Sequence, residues 1–208
     1  MIFPHYIGIV IGLFNYPIFT NSTLRNQLAI GHRRSQIFLA DWAASNVFAV
    51  SLYLLLSLSI YATAAVVSTP EIVAWDNVLF TLVLSTLQVI LFTTVAQLFC
   101  VILKGVKSFL AIYLGNQLLA LAGIGLMAVE HIPQALLYFF PTAICMQTNC
   151  FRDPTLVNPL LDEANGLSIA ASTSAMHFDF LPAAAAVLLE IAIVYLIGLC
   201  YFRKTDLN

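Results

Sequence analysis

The chain has 208 residues, of which 61% are hydrophobic and 9% charged, and its formal net charge is −2. Soluble domains carry about 25% charged residues, so this composition excludes a soluble globule, and the near-neutral charge offers no field for a nucleic-acid partner. Apolar runs of about 20 residues or more exclude the short alternating segments of a β-barrel and predict an all-α, polytopic transmembrane bundle of about five spans, with residues 1–208 as one membrane domain.

The first apolar run covers about 3–19 and carries Pro17 near its end. No charged, then apolar, then small-residue pattern opens the chain, so this run is expected to stay as a span. A polar interruption follows, "NSTLRNQLAIGHRRSQIF" at 21–38. The second span is expected over about 37–66. At ~1.5 Å per residue it exceeds a ~30 Å hydrocarbon core, so it must tilt or project into water. The third span is expected over about 77–103 and the fourth over about 109–129. Between about 130 and 179 lies LLYFFPTAICM (136–146), apolar but too short to cross, and then a polar stretch with Pro154, Pro159 and Gly166. That combination reads as a re-entrant or interfacial helix within a compact outer cap. The last span is expected over about 180–202.

Lysine and arginine set the orientation. Arg25, Arg33 and Arg34 lie between spans one and two, Lys104 and Lys107 between three and four, and Arg203 and Lys204 after the last. The alternate loops hold Glu71, Asp76, Glu130, Asp153, Asp162, Glu163 and Asp179, with Arg152 the one basic residue on that side. The basic loops are therefore expected in the cytoplasm, with the N-terminus outside and the C-terminus inside.

Residues 22–31 read as a short helix. Ser22 can cap it, Leu24 and Leu28 share one face, Arg25, Asn26 and Gln27 point elsewhere, and Gly31 can supply a left-handed turn at its end. His32, Arg33 and Arg34 then meet the membrane surface. Two readings stay open for this segment of about 22–34. It is a plug with one apolar edge and a basic rim that fits a groove in another protein, or it is a positive-inside anchor with incidental helicity.

The stretch "TLRNQLAIGHRRSQIFLADW" resembles the coupling-helix region of ABC-2-type (type V) ABC transporter permeases, through Thr23, Leu24, Arg25, Asn26, Leu28, Gly31, Arg34, Ile37, Phe38 and Leu39. The tail "IGLCYFRKTDLN" is similar to the family's ending, through Gly198, Phe202, Arg203, Lys204, Asp206 and Leu207, and Pro141 sits where the family places re-entrant outer helices. The resemblance implies a bacterial cell-membrane permease that exports a hydrophobic or amphipathic substrate such as a lipid, a drug or a peptide antibiotic. It implies that Leu24, Arg25, Asn26, Leu28, Gly31, Arg33 and Arg34 dock on a separate ABC ATPase subunit, and that a second permease chain completes a homo- or heterodimer among membrane lipids. It also implies a cytoplasmic helix and a further span ahead of the run at 3–19. Their absence from these residues leads us to expect either a naturally short member or a piece of a longer gene product.

No GxxxxGK[ST] phosphate-binding loop and no HExxH pair occurs in the chain, so ATP hydrolysis is expected on the partner and neither enzyme activity nor a cofactor is expected here. Glu190, near the middle of the last span, is costly in hydrocarbon and reads either as a substrate or dimer contact or as a hydrogen-bonded structural group. Asp41 reads as a local partner of the basic cluster, and Asn46, Gln88, Gln97, Asn116 and Gln117 as interhelical amides. Cys145 and Cys150 lie five apart on the outer side, where a disulfide and two free thiols are both open. Cys100 and Cys200 read as packing residues, Trp42 and Trp75 as interfacial belt residues, and the scattered His5, His32, His131 and His177 as unsuited to metal or haem. Two rival functions remain: an accessory or sensor protein that transports nothing, and an ion-coupled secondary carrier using Glu190.

Overall fold

The computed structural model describes residues 3–20, 30, 31, 33–67, 75–103, 107, 110–115, 118, 121, 122 and 180–204, and all of these are helical except 30, 31 and 33. Helix α1 spans Phe3–Thr20, α2 Arg34–Val67, α3 Trp75–Leu103 and α4 Phe180–Lys204. Each lies within three residues of a span read from the apolar runs. A helical stretch at 110–115 falls at the start of the expected fourth span, most of which lies outside the described residues, as does the expected cap at 130–179.

Among the described residues, three helices are long and apolar enough to cross a membrane: Arg34–Thr63, Leu82–Leu103 and Phe180–Lys204. The length and composition of these segments make the chain a membrane protein whose described elements are all helices. Helix α2 has 34 residues and extends roughly 51 Å, beyond the hydrocarbon thickness. With 18 residues, α1 reaches only about 27 Å.

The start of α2 is fixed locally. Gly31 adopts φ +99°, a region that side chains with a Cβ rarely enter, so the chain turns there. Two residues later the Arg33 carbonyl accepts the amides of Gln36 (2.9 Å) and Ile37 (3.1 Å). The Gln36 side chain reaches back to the Arg33 amide at 3.3 Å. A glutamine at the third helical position that serves the capping residue's N–H is one half of a capping box.

Helix α3 is the central member, packing against α1, α2 and α4. One core cluster joins Ile9, Ile37, Phe38, Ala96, Cys100, Val101, Ile112 and Phe202. A second joins Leu84 and Leu91 of α3 to Ala183, Val187 and Ile191 of α4. A third joins Ile7 and Ile11 of α1 to Ala49 and Val89. Helices α2 and α4 are antiparallel: Arg34 meets Arg203, Phe38 stacks on Phe202 at 5.6 Å, and Trp42 meets Tyr195 edge-on at 5.1 Å. The basic start of α2 and the basic end of α4 therefore share one pole of the bundle.

The outward surface is apolar. Val47, Leu55 and Leu58 on α2 and Leu181, Leu188, Leu189 and Leu196 on α4 are all at least half exposed. Water would not tolerate so large a contiguous patch, but lipid chains solvate it without cost. Hydroxyls on or near this surface are satisfied by their own helix: Ser59 donates to the Leu55 carbonyl and Thr63 to the Ser59 carbonyl, both at 2.8 Å.

Helix α4 approaches α2 closely at Gly198, where an added Cβ would come within 3.0 Å of the Phe38 ring. Phe38 is only 2% exposed and is held against Tyr195 and Phe202, so it has little room to yield. Gly198→Leu should destabilise the detergent-solubilised protein by about 1–3 kcal/mol. Leu196→Ala, on the outward face, should change it by less than about 0.5 kcal/mol. Thermal unfolding midpoints of the two variants check this; equal midpoints would remove the close approach.

Candidate functional site

Hydrocarbon offers no hydrogen bonds, so each polar side chain inside the bundle must find a partner or carry an energetic cost. Polar side chains of α2 line its contacts with α1 and α3. Asn15 of α1 and Ser45 of α2 bond reciprocally: the Asn15 amide donates to Ser45 Oγ at 2.9 Å, and Ser45 Oγ donates to Asn15 Oδ1 at 3.1 Å. Asp41 Oδ2 accepts a bond from Gln97 Nε2 of α3 at 2.8 Å. Trp42 Nε1 donates to Thr94 Oγ1 at 3.0 Å, and Thr94 Oγ1 in turn donates to the Ile90 carbonyl at 2.7 Å. Asn46 Nδ2 donates back to the Trp42 carbonyl at 2.8 Å.

The arrangement follows from helical spacing. Asp41 and Ser45 are four apart on α2, and Thr93 and Gln97 are four apart on α3, so each pair shares a face. The 41–97 and 42–94 bonds set the register of the two helices and bring Ser45 level with Thr93. Gln97 and Thr93 are fully buried. Cys100, one turn further along α3, donates its S–H to the Gly12 carbonyl of α1 at 3.6 Å.

The pairing is incomplete. Among the described residues, four buried side-chain oxygens lack a hydrogen-bond partner: Asn46 Oδ1, Thr93 Oγ1, Gln97 Oε1 and Glu190 Oε2. Glu190 stands near the middle of α4, half-buried beside the stripe of Ala186, Val187 and Ile191 that packs inward.

At the basic pole, Ile30, Gly31 and Arg33 are exposed and Arg34 is half-buried. An Arg34 Nη1 donates to the Arg203 carbonyl at 3.5 Å, the outer limit of a hydrogen bond. A cation at the C-terminal carbonyls of α4 is favoured by the helix dipole, as are Arg203 and Lys204 in its last turn.

Of the residues expected to dock on a partner, Gly31, Arg33 and Arg34 are brought together at this pole, while Leu24, Arg25, Asn26 and Leu28 lie outside the described residues, as do Cys145 and Cys150. Three other expectations change or gain detail. Asp41 is bonded across to Gln97 rather than serving as a local counter-charge to Arg33 and Arg34. Trp42 makes an interhelical tie from α2 to Thr94 of α3 and Tyr195 of α4, contacts that the belt reading did not include. Cys200 is exposed while Cys100 is buried, so only Cys100 packs inside. Asn15, Ser45, Thr93 and Thr94 were not singled out by sequence, although polar residues recurring at i, i+4 on two adjacent apolar runs mark such a seam. Among the described residues no group of three or more His, Cys, Asp or Glu is placed to hold a metal ion. Compared with known proteins, the chain matches no family model, no curated protein and no solved structure.

A double-mutant cycle tests the seam. Asn15→Ala and Ser45→Ala should each destabilise the protein, with a coupling of about 0.6–1.7 kcal/mol between them. Additive effects on the unfolding free energy in mixed micelles would show that the two side chains do not interact.

Proposed function

We propose that this chain is the membrane-spanning subunit of an ABC-2-type transporter in a bacterial cell membrane, exporting a hydrophobic or amphipathic substrate with energy from a separate ATPase subunit. The observation that carries the reading is the basic pole. Arg33 and Arg34 follow a positive-φ turn at Gly31 and begin a continuous helix of 34 residues, beside the basic end of α4. A force applied to residues about 22–34 enters α2 at its first turn and reaches the core through Phe38, Asp41 and Trp42. A partner that closed on this segment would then tilt α2 as a rigid lever.

The resemblance at 23–39 and 198–207 supports the same reading, because Arg34 of the first similar stretch meets Arg203 of the second at this pole. A full pathway in this reading has about five spans per chain and two chains in the membrane, with the basic pole in the cytoplasm. The outward apolar faces of α2 and α4 suit substrates that partition into lipid.

Arg25→Glu combined with Arg33→Glu reverses two charges on the docking segment, and Arg33 is exposed. Pulled from native membranes, the double variant should retain at least about tenfold less ATP-hydrolysing partner than the wild-type chain, with its own thermal midpoint unchanged. ATPase recovery equal to wild type would overturn the proposal.

A further inference from the structure

The buried polar atoms left without partners among the described residues are all oxygens: Asn46 Oδ1, Thr93 Oγ1, Gln97 Oε1 and Glu190 Oε2. Two of them fall in one place. Thr93 and Gln97 are both 0% exposed and one turn apart on the same face of α3. Gln97 spends its Nε2 on Asp41 Oδ2 at 2.8 Å. Its Oε1, without a partner, is carried on the same carboxamide carbon as the Nε2 that meets Asp41. Ser45, level with Thr93, is already committed to Asn15 in both directions and has no donor left for either oxygen.

A carboxylate, an amide oxygen and a hydroxyl oxygen are hard ligands suited to hard cations. One carboxylate with neutral oxygens balances one positive charge. A divalent ion would leave a net charge inside hydrocarbon, which is strongly disfavoured.

We propose that Asp41, Gln97 and Thr93 form a binding site for a small monovalent metal cation of the sodium class at the α2–α3 seam. Bound there, the cation satisfies the two orphaned oxygens, neutralises Asp41 and ties α2 to α3. The inference goes beyond the transport reading and does not depend on any ATPase.

The test is thermal unfolding of the full chain in uncharged detergent, in sodium chloride against choline chloride at equal ionic strength. Sodium should raise the wild-type midpoint by about 3 °C or more. The rise should be lost in Thr93→Val, which keeps the side-chain shape, and in Asp41→Asn. It should persist in Ser59→Ala, whose hydroxyl bonds only its own helix. A wild-type midpoint identical in the two salts would mean that the oxygens are served by water alone and would overturn the proposal. A sodium effect that survives both Thr93→Val and Asp41→Asn would also overturn it, by placing the ion elsewhere.

Discussion

The structure depends on one constraint: polar side chains carried into hydrocarbon must be answered by other helices. Helix α2 meets it through a short run of residues, Asp41, Trp42 and Ser45, each bonded to a different side chain on α3 or α1. These bonds do what apolar contact in a membrane does poorly. Leucine against leucine is little better than leucine against lipid, so apolar packing alone leaves rotation and register loosely set. A bond from Trp42 to Thr94, backed by the edge contact of the indole on Tyr195, fixes both. The aromatic stack of Phe38, Tyr195 and Phe202 then fills the space nearer the pole.

The same stretch of α2 joins two regions of different chemistry. The exposed basic turn around Gly31 and Arg33 lies about 10 Å of helix from Asp41. No helix break separates them within Arg34–Val67, and the first turn is capped by Gln36. In the proposed lever, a displacement at the pole is passed along this unbroken helix to the polar seam, where the 41–97 and 42–94 bonds join α2 to α3. At that seam Thr93 Oγ1 and Gln97 Oε1 are left over, and buried polar atoms of this kind are ordinarily satisfied by a partner.

Much of this fold was legible in the sequence because a membrane makes the signal one-dimensional. Apolar runs of sufficient length located α1 through α4 to within three residues, and the basic residues that cluster in alternate loops foretold the shared pole of Arg34 and Arg203. Pairing was much less legible. Asp41 looked like a neighbour of arginines by sequence distance, but helical geometry turned it to Gln97, 56 residues away. Trp42 reads as interfacial because tryptophan favours headgroups, and its bond to a hydroxyl on α3 and its contact with a ring on α4 become visible only in three dimensions. Asn15 and Ser45, and Thr93 and Thr94, are small polar residues that single apolar runs tolerate, and their importance emerges only once two helices are in register.

The central claim is that the turn ahead of α2 faces the cytoplasm as the handle of a lever. Site-directed labelling tests it most directly. In a chain whose four cysteines are replaced by serine or alanine, Ile30→Cys places a thiol at an exposed position of that turn. The account predicts that a membrane-impermeant maleimide leaves this thiol untouched in intact cells and modifies it once the membrane is opened. Modification to the same extent in intact cells would put the basic pole outside and contradict the account.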